Sequence, residues 1–158
     1  MRQADVLLDA LASTPADVSR VAARLAAAAA ATRPSPHEWA AVEILAHLVD
    51  VEQRYYARLR RVLDGDRPVL PRIDPPARGY DRRQSCAALS DGFAEARGHT
   101  LAFLRSLPRG GWARVAVHEI VGTTRMAHLV RRLVEHDVAH LAQLVDTRNL
   151  VTTRGDVA

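Results

Sequence analysis

Residues 65–81 read GDRPVLPRIDPPARGYD, and this stretch limits the possible folds more than any other. Pro68, Pro71, Pro75 and Pro76 each remove a backbone N–H and crowd the preceding turn, so no helix continues through it. Long segments of helical periodicity lie on both sides. Fully extended, the stretch reaches about 55 Å. That is enough to run the length of a helical bundle and let the two helices it joins point the same way.

Four helical regions are predicted. Residues 3–31 carry Val6, Leu7, Leu8 and Leu11, then Val18, Val21 and Leu25, at helical spacing. Pro15 leaves open whether this is one kinked helix or two short ones, and TRPSP at 32–36 ends it. A second helix is expected over 39–64, striped by Ile44, His47, Leu48, Val51, Tyr55, Leu59 and Val62 and stopped by Gly65. A third covers 82–107, with Leu89, Phe93, Thr100, Phe103, Leu104 and Leu107 on one side. A fourth covers 123–147, capped by Thr123 or Thr124 and striped by Met126, Leu129, Leu133, His136, His140 and Leu144. The stretch 113–122 is short and partly β-like, and the terminal TTRGDVA is expected to fray. No internal repeat or second domain is visible. Residues 1–158 therefore read as a single all-α domain, a four-helix bundle.

Composition excludes several classes of function. Hydrophobic residues at 48% can build a core without disulfide or metal staples. All 22 basic residues are arginine, which a GC-rich coding bias explains. The net charge of +4 is modest, and arginines alternate with acids, so no basic stripe speaks for nucleic acid. Cys86 is the single cysteine; it excludes an intrachain disulfide, fits a reducing compartment and reads as a structural thiol. Asp5 and Asp9 interrupt what would be the apolar core of a secretion signal, and Ala26–Ala31 is too short to span a membrane. A soluble, cytoplasmic protein with no membrane partner is the expectation. No Ser/His/Asp order, Gly-rich phosphate loop or CxxC motif is present.

The histidines point to chemistry. His136 and His140 stand in EHDVAHLAQL, one helical turn apart on one face. His47 stands inside the apolar stripe of EWAAVEILAHLVDVE. Two rings from one helix and one from a facing helix can form a three-histidine metal site with an open position. His47 lies about 10 Å from the start of its helix, and the pair about 10–15 Å from the end of theirs. The rings meet only if those helices are antiparallel, which an up-down-up-down bundle does not provide. An up-down-down-up bundle does, and it needs a long crossover between helices 2 and 3; residues 65–81 supply one. Neutral imidazoles favour zinc or nickel over magnesium or calcium. Asp50, three residues after His47, is the better candidate for orienting a ligand ring, with Asp137 second. His118, in the loop before helix 4, is a candidate to overhang the metal. His37, His99 and His128 read as surface or packing residues, and Trp39 and Trp112 as bundle-end packing that could also wall a pocket.

HEWAAVEILAHLVDVE (37–52), GWARVAVHEIVGTTRMAHLV (111–130) and EHDVAHLAQL (135–144) resemble the DinB-like superfamily, which includes bacillithiol transferases and the metal-binding domains of mycothiol-dependent maleylpyruvate isomerases. The resemblance covers nearly the whole chain. It implies an up-down-down-up bundle, often a homodimer, with a divalent metal on His47, His136 and His140; nickel, zinc and manganese are all compatible. Ala40 departs from the serine common at that cap, while Glu43 keeps half of a capping box, so a frayed or shifted helix start is expected. No additional thiol-binding domain is expected within these 158 residues.

Two functions from different classes follow. In the first, a three-histidine metal binds a low-molecular-weight thiol as thiolate and presents it to an electrophilic small molecule, as a transferase or isomerase; residues around Arg78–Arg83 close the mouth, and hydrolysis by activated water is the close variant. In the second, the bundle is a non-catalytic metal- or partner-binding stress-response protein acting as a dimer. No catalytic residue beyond the metal ligands is identifiable.

Overall fold

The computed structural model describes residues 3–77 and 79–155. Its long helices are α1 (Gln3–Ala22), α3 (Ala41–Asp64), α4 (Cys86–Arg105) and α5 (Met126–Gly155), with α2 (Ala27–Ala30) a single turn after the first. Three short strands, β1 (Val69–Leu70), β2 (Val115–His118) and β3 (Gly122–Arg125), form a small sheet in the order β1-β2-β3.

Contacts between helices set their directions. Along α3 and α4, Glu52 meets Arg97 and, one turn on, Tyr56 meets Phe103, so these helices are parallel. Leu11 of α1 bonds Arg97, while Ser19 and Ala22 border the same cavity as Cys86 and Ser90, so α1 and α4 are antiparallel. His47 sits against His140 and His136, whereas Glu52, further along α3, sits level with Asp137, because both meet Arg97. Arg58, further still, lies near Arg132 of α5, which makes α3 and α5 antiparallel. The topology is up-down-down-up, as the histidine placement and the crossover length required.

The crossover retraces α3. Arg58 donates to the carbonyl of Pro71. Arg54 donates to that of Asp74 at 2.9 Å, and Tyr80 reaches Asp50 and His47. On the way it contributes β1, whose Val69 pairs in parallel with Val117 of β2. The β-like stretch after residue 113 is the hairpin β2–β3, running from Val115↔Arg125 to His118↔Gly122. Gly122 takes φ 71°, a left-handed value that suits glycine at the hairpin turn. The bundle is thus helical with a minor sheet at one end.

Element ends differ from expectation in four places. Thr123 and Thr124 do not cap the last helix; they belong to β3, and α5 starts at Met126, whose N–H bonds the Arg114 carbonyl at 2.9 Å. That helix does not end at residue 147 but continues to Gly155, into the tail expected to fray, held by the buried Val151 and by the Thr152 and Thr153 hydroxyls bonding back to Arg148 and Asn149 carbonyls. Residues 156–158 of the expected frayed tail lie outside the described residues. The third helix starts at Cys86, not 82, because Ser85 caps it and accepts the Ala88 N–H at 3.4 Å. The second starts at Ala41 without fraying. Glu43, 2% exposed, accepts the Ala40 N–H at 2.9 Å and a two-pronged bond from Arg33 at 2.7 and 2.5 Å. Burial opposes ionisation of Glu43, but Arg33, the Ala40 N–H and the charge of Arg82 outweigh it and hold the carboxyl below its usual range.

Two apolar clusters share the core. One gathers Leu11, Leu59, Phe103, Leu104, Leu129 and Leu133, the other Val18, Ile44, Leu45, Leu48, Phe93 and Leu144. Between them lies a charged layer. Arg97, fully buried, bonds Glu52 at 2.9 and 2.7 Å and approaches Asp137 at 2.8 Å. Its remaining arm donates to the Leu11 carbonyl at 2.9 Å. Pro15 lies inside α1 and has no N–H for that carbonyl four residues back, so the guanidinium replaces the missing helical donor. This explains why α1 runs unbroken through a proline.

Candidate metal centre

α3 and α5 bring His47, His136 and His140 together. The nitrogens that each ring offers lie within 4.8 Å of one another, and His47 Nε2 faces His136 Nε2 at 3.0 Å. Ring centroids are 5.1 Å apart for His47–His136, 4.6 Å for His47–His140 and 4.4 Å for His136–His140. Nitrogens bound tetrahedrally at about 2.0–2.1 Å stand about 3.4 Å apart. The group therefore needs only small side-chain adjustments to hold a divalent ion.

The opposite edges of the rings support the same use. His47 Nδ1 lies 2.9 Å from the Tyr80 hydroxyl, and that hydroxyl donates to Asp50 Oδ2 at 3.0 Å. Since the tyrosine proton goes to the carboxylate, its oxygen accepts from His47 Nδ1–H, which leaves Nε2 with a free lone pair. His140 Nδ1 is 2.7 Å from Gln143 Oε1, a pure acceptor, so its Nε2 is likewise unprotonated. His136 Nδ1 is buried with no hydrogen bond, and its nearest carboxylate oxygen is Asp137 Oδ1 at 3.8 Å. Burial, together with the His140, His136 and Arg54 charges, lowers the His47 pKa to about 3. Burial and His136 lower that of His140. Both rings are neutral at ordinary pH, as ligation requires.

Asp50 reaches the site through an intermediary. It lies beside Arg54 at 2.9 Å and accepts from Tyr80, which in turn orients His47. Burial and the Asp50 carboxylate raise the Tyr80 pKa, so the phenol stays protonated and keeps the relay in one direction. Sequence reasoning missed Tyr80. The available signal was that the crossover must pass the histidines and that Tyr80 is its aromatic residue. Trp39 does more than close the bundle end. It stacks on His140 at 6.1 Å and 11°, meets His47 edge-on at 4.9 Å, and lies 5.9 Å from Tyr80.

The structure does not bring His118 to this group. It ends β2 beside Leu70, near the Arg58 charge, and Arg58 is about 16 Å along α3 from His47. The hairpin carrying it is pinned to the far end of the bundle, where Arg114 donates to the Gly65 and Val62 carbonyls. His37, His99 and His128 are exposed. Trp112 packs against the core cluster at the hairpin end. Cys86 is half-buried, and burial raises its thiol pKa, which disfavours a nucleophilic role. Of the segment expected to close the mouth, Tyr80 touches His47, and Arg83 pairs with Asp81 at 2.8 Å. Arg78 lies outside the described residues. No helix among the described residues is long and apolar enough to cross a membrane.

Comparison with known proteins supplies an independent measure. Residues 10–144 match the family described as the DinB superfamily. Among solved structures, the chain is similar to YfiT from Bacillus subtilis, described as a probable metal-dependent hydrolase with an unusual four-helix bundle topology. The TM-score is 0.79 at 18% identity, covering 91% of this chain and 85% of that one. At that identity the likeness shows the fold. A search of curated protein sequences finds no match.

Proposed function

The chain belongs to the DinB superfamily, and from that premise we propose that it is a divalent-metal-dependent enzyme whose ion is held by His47, His136 and His140. The observation that carries this reading is the convergence of the three rings, two of them with Nδ1 set against an acceptor so that Nε2 is free to ligate. Three protein donors leave a coordination position for a small molecule. When bound, the ion supplies Lewis acidity that lowers the pKa of a thiol or a water in that position. Zinc or nickel suits the imidazole set best, and manganese is compatible.

The chain's own residues orient and shield. Tyr80 and Asp50 fix the His47 tautomer, Gln143 fixes that of His140, and Trp39 covers the rings on one side. The reaction we assign is transfer of a low-molecular-weight thiol to an electrophilic small molecule, or its isomerase-like variant. Hydrolysis is the second reading, and the description of the YfiT structure favours it. A homodimer in the cytoplasm belongs to the same proposal; exposed Val138 and Leu150 on α5 and Val6 on α1 offer apolar surface for it.

The test incubates zinc- or nickel-loaded protein with 1-chloro-2,4-dinitrobenzene and cysteine, and separately with p-nitrophenyl acetate. Thiol-dependent arylation abolished in His136→Ala supports transfer. Thiol-independent ester cleavage abolished in the same variant supports hydrolysis. Rates no different between wild type and variant on both probes would contradict a catalytic role for the histidines.

A further inference from the structure

A cavity of about 740 Å³ lies apart from the histidines, between the C-terminal part of α1, α2, the start of α4 and Val42 of α3. None of His47, His136, His140, Trp39 or Tyr80 lines it. The sequence explains why it stays open. The alanine run ends every side chain at Cβ, so α2 cannot fill the space between α1 and α4. A volume of this size is typical of small-ligand pockets.

Its chemistry is two-sided. Ala22, Ala27, Ala30 and Val42 give apolar walls. Arg82 stands at the rim; it donates to the Ala31 carbonyl at 3.3 Å, and its charge acts on Glu43 without a close ion pair among the described residues. Arg83, by contrast, is engaged by Asp81. Ser85 opens α4 at the same rim, where the first N–H groups and the positive end of the helix dipole favour an anion. A separate observation points the same way. Ser90, one turn after Cys86 on the lining face of α4, is 5% exposed, and its hydroxyl has no hydrogen-bond partner among the described residues. Buried hydroxyls are normally paired; this one has almost no accessible surface, so meeting a ligand in the cavity requires it to turn about χ1.

We propose that this cavity is a second binding site, taking a small carboxylate on an apolar body. The carboxylate sits at Arg82 and the start of α4, the body lies along the alanines, and the Ser90 hydroxyl bonds the ligand's polar atoms. Asp91 also lines the cavity and disfavours a dianion such as phosphate. The site stands independently of the metal reading, since it shares no residue with the histidine group.

Cys86 lies in the wall and is the chain's single cysteine, so its alkylation by N-ethylmaleimide reports occupancy. Octanoate and benzoate serve as aliphatic and aromatic probes, with inorganic phosphate as the dianionic control. Saturable protection by either carboxylate supports the site, and the better protector identifies the body. Arg82→Ala is expected to raise the half-saturating concentration about tenfold, the size of one charge-assisted hydrogen bond. Ala27→Trp, placed at an exposed lining position, is expected to abolish protection with helicity unchanged by circular dichroism. No protection by either carboxylate at millimolar concentration, equal protection by phosphate, or protection unchanged in both variants would overturn the proposal.

Discussion

Replacing Arg97 by methionine tests the charged layer between the two core clusters. The change keeps much of the side-chain volume but removes the cation that Glu52 and Asp137 share, each carboxylate being about 1% exposed. Breaking a buried ion pair by removing one partner costs about 3–5 kcal/mol, because the remaining charge stays buried and uncompensated. Here two carboxylates are stranded, and the Leu11 carbonyl loses the donor that Pro15 cannot replace. A loss of about 4 kcal/mol is a large part of the 5–15 kcal/mol typical of a domain, and lowers Tm by about 10–15 °C for a chain of this length. The assay is thermal and urea unfolding of metal-free protein followed by circular dichroism. The triple variant Arg97→Met/Glu52→Gln/Asp137→Asn removes the stranded charges and is expected to recover most of the loss. A single variant within about 1 kcal/mol of wild type, or a triple variant no more stable than the single, would refute the reasoning.

Other outcomes follow from the same geometry. Tyr80→Phe leaves His47 Nδ1 without its acceptor and is expected to weaken zinc binding about 10–100-fold in a chelator competition, with unfolding of the metal-free protein little changed. The metal-free protein should lose stability as pH falls below about 6.5, because the unfolded chain takes up a proton that the folded His47 ring refuses until about pH 3. The expected slope is about 1.4 kcal/mol per pH unit for that ring, read from urea midpoints between pH 7 and pH 4; a flat or rising trend would contradict it. Ala40→Ser restores a side-chain acceptor at the start of α3 and should raise stability by about 1 kcal/mol, seen as a higher urea midpoint at unchanged slope.

What was legible in the chain was what depends on local periodicity. The stripes located the helices, and the positions of His47, His136 and His140 within them implied that α3 and α5 are antiparallel. The proline-rich crossover made that arrangement possible. Illegible features depended on partners far away in sequence. Tyr80 becomes part of the candidate site only because the crossover retraces α3 turn by turn, a path set by Arg58 and Arg54 gripping backbone carbonyls. β1 exists only because β2 lies beside it. Arg97, Glu52 and Asp137 each occupy a position in an apolar stripe, four residues after Phe93, Leu48 and Leu133, and those placements were visible. A charge in a stripe usually extends its head to solvent. Only the shared level of three helices turns these into a buried ion group, and periodicity along one helix carries no information about level.

The most direct test of the metal reading is the metal content of protein purified without a histidine tag, measured by mass spectrometry beside His136→Ala/His140→Ala. Near-stoichiometric divalent metal in the wild type, absent from a variant that keeps its helicity, is the predicted result. No metal in the wild type, even after reconstitution with zinc, nickel or manganese, would contradict it and leave the three histidines as packing residues of a binding bundle.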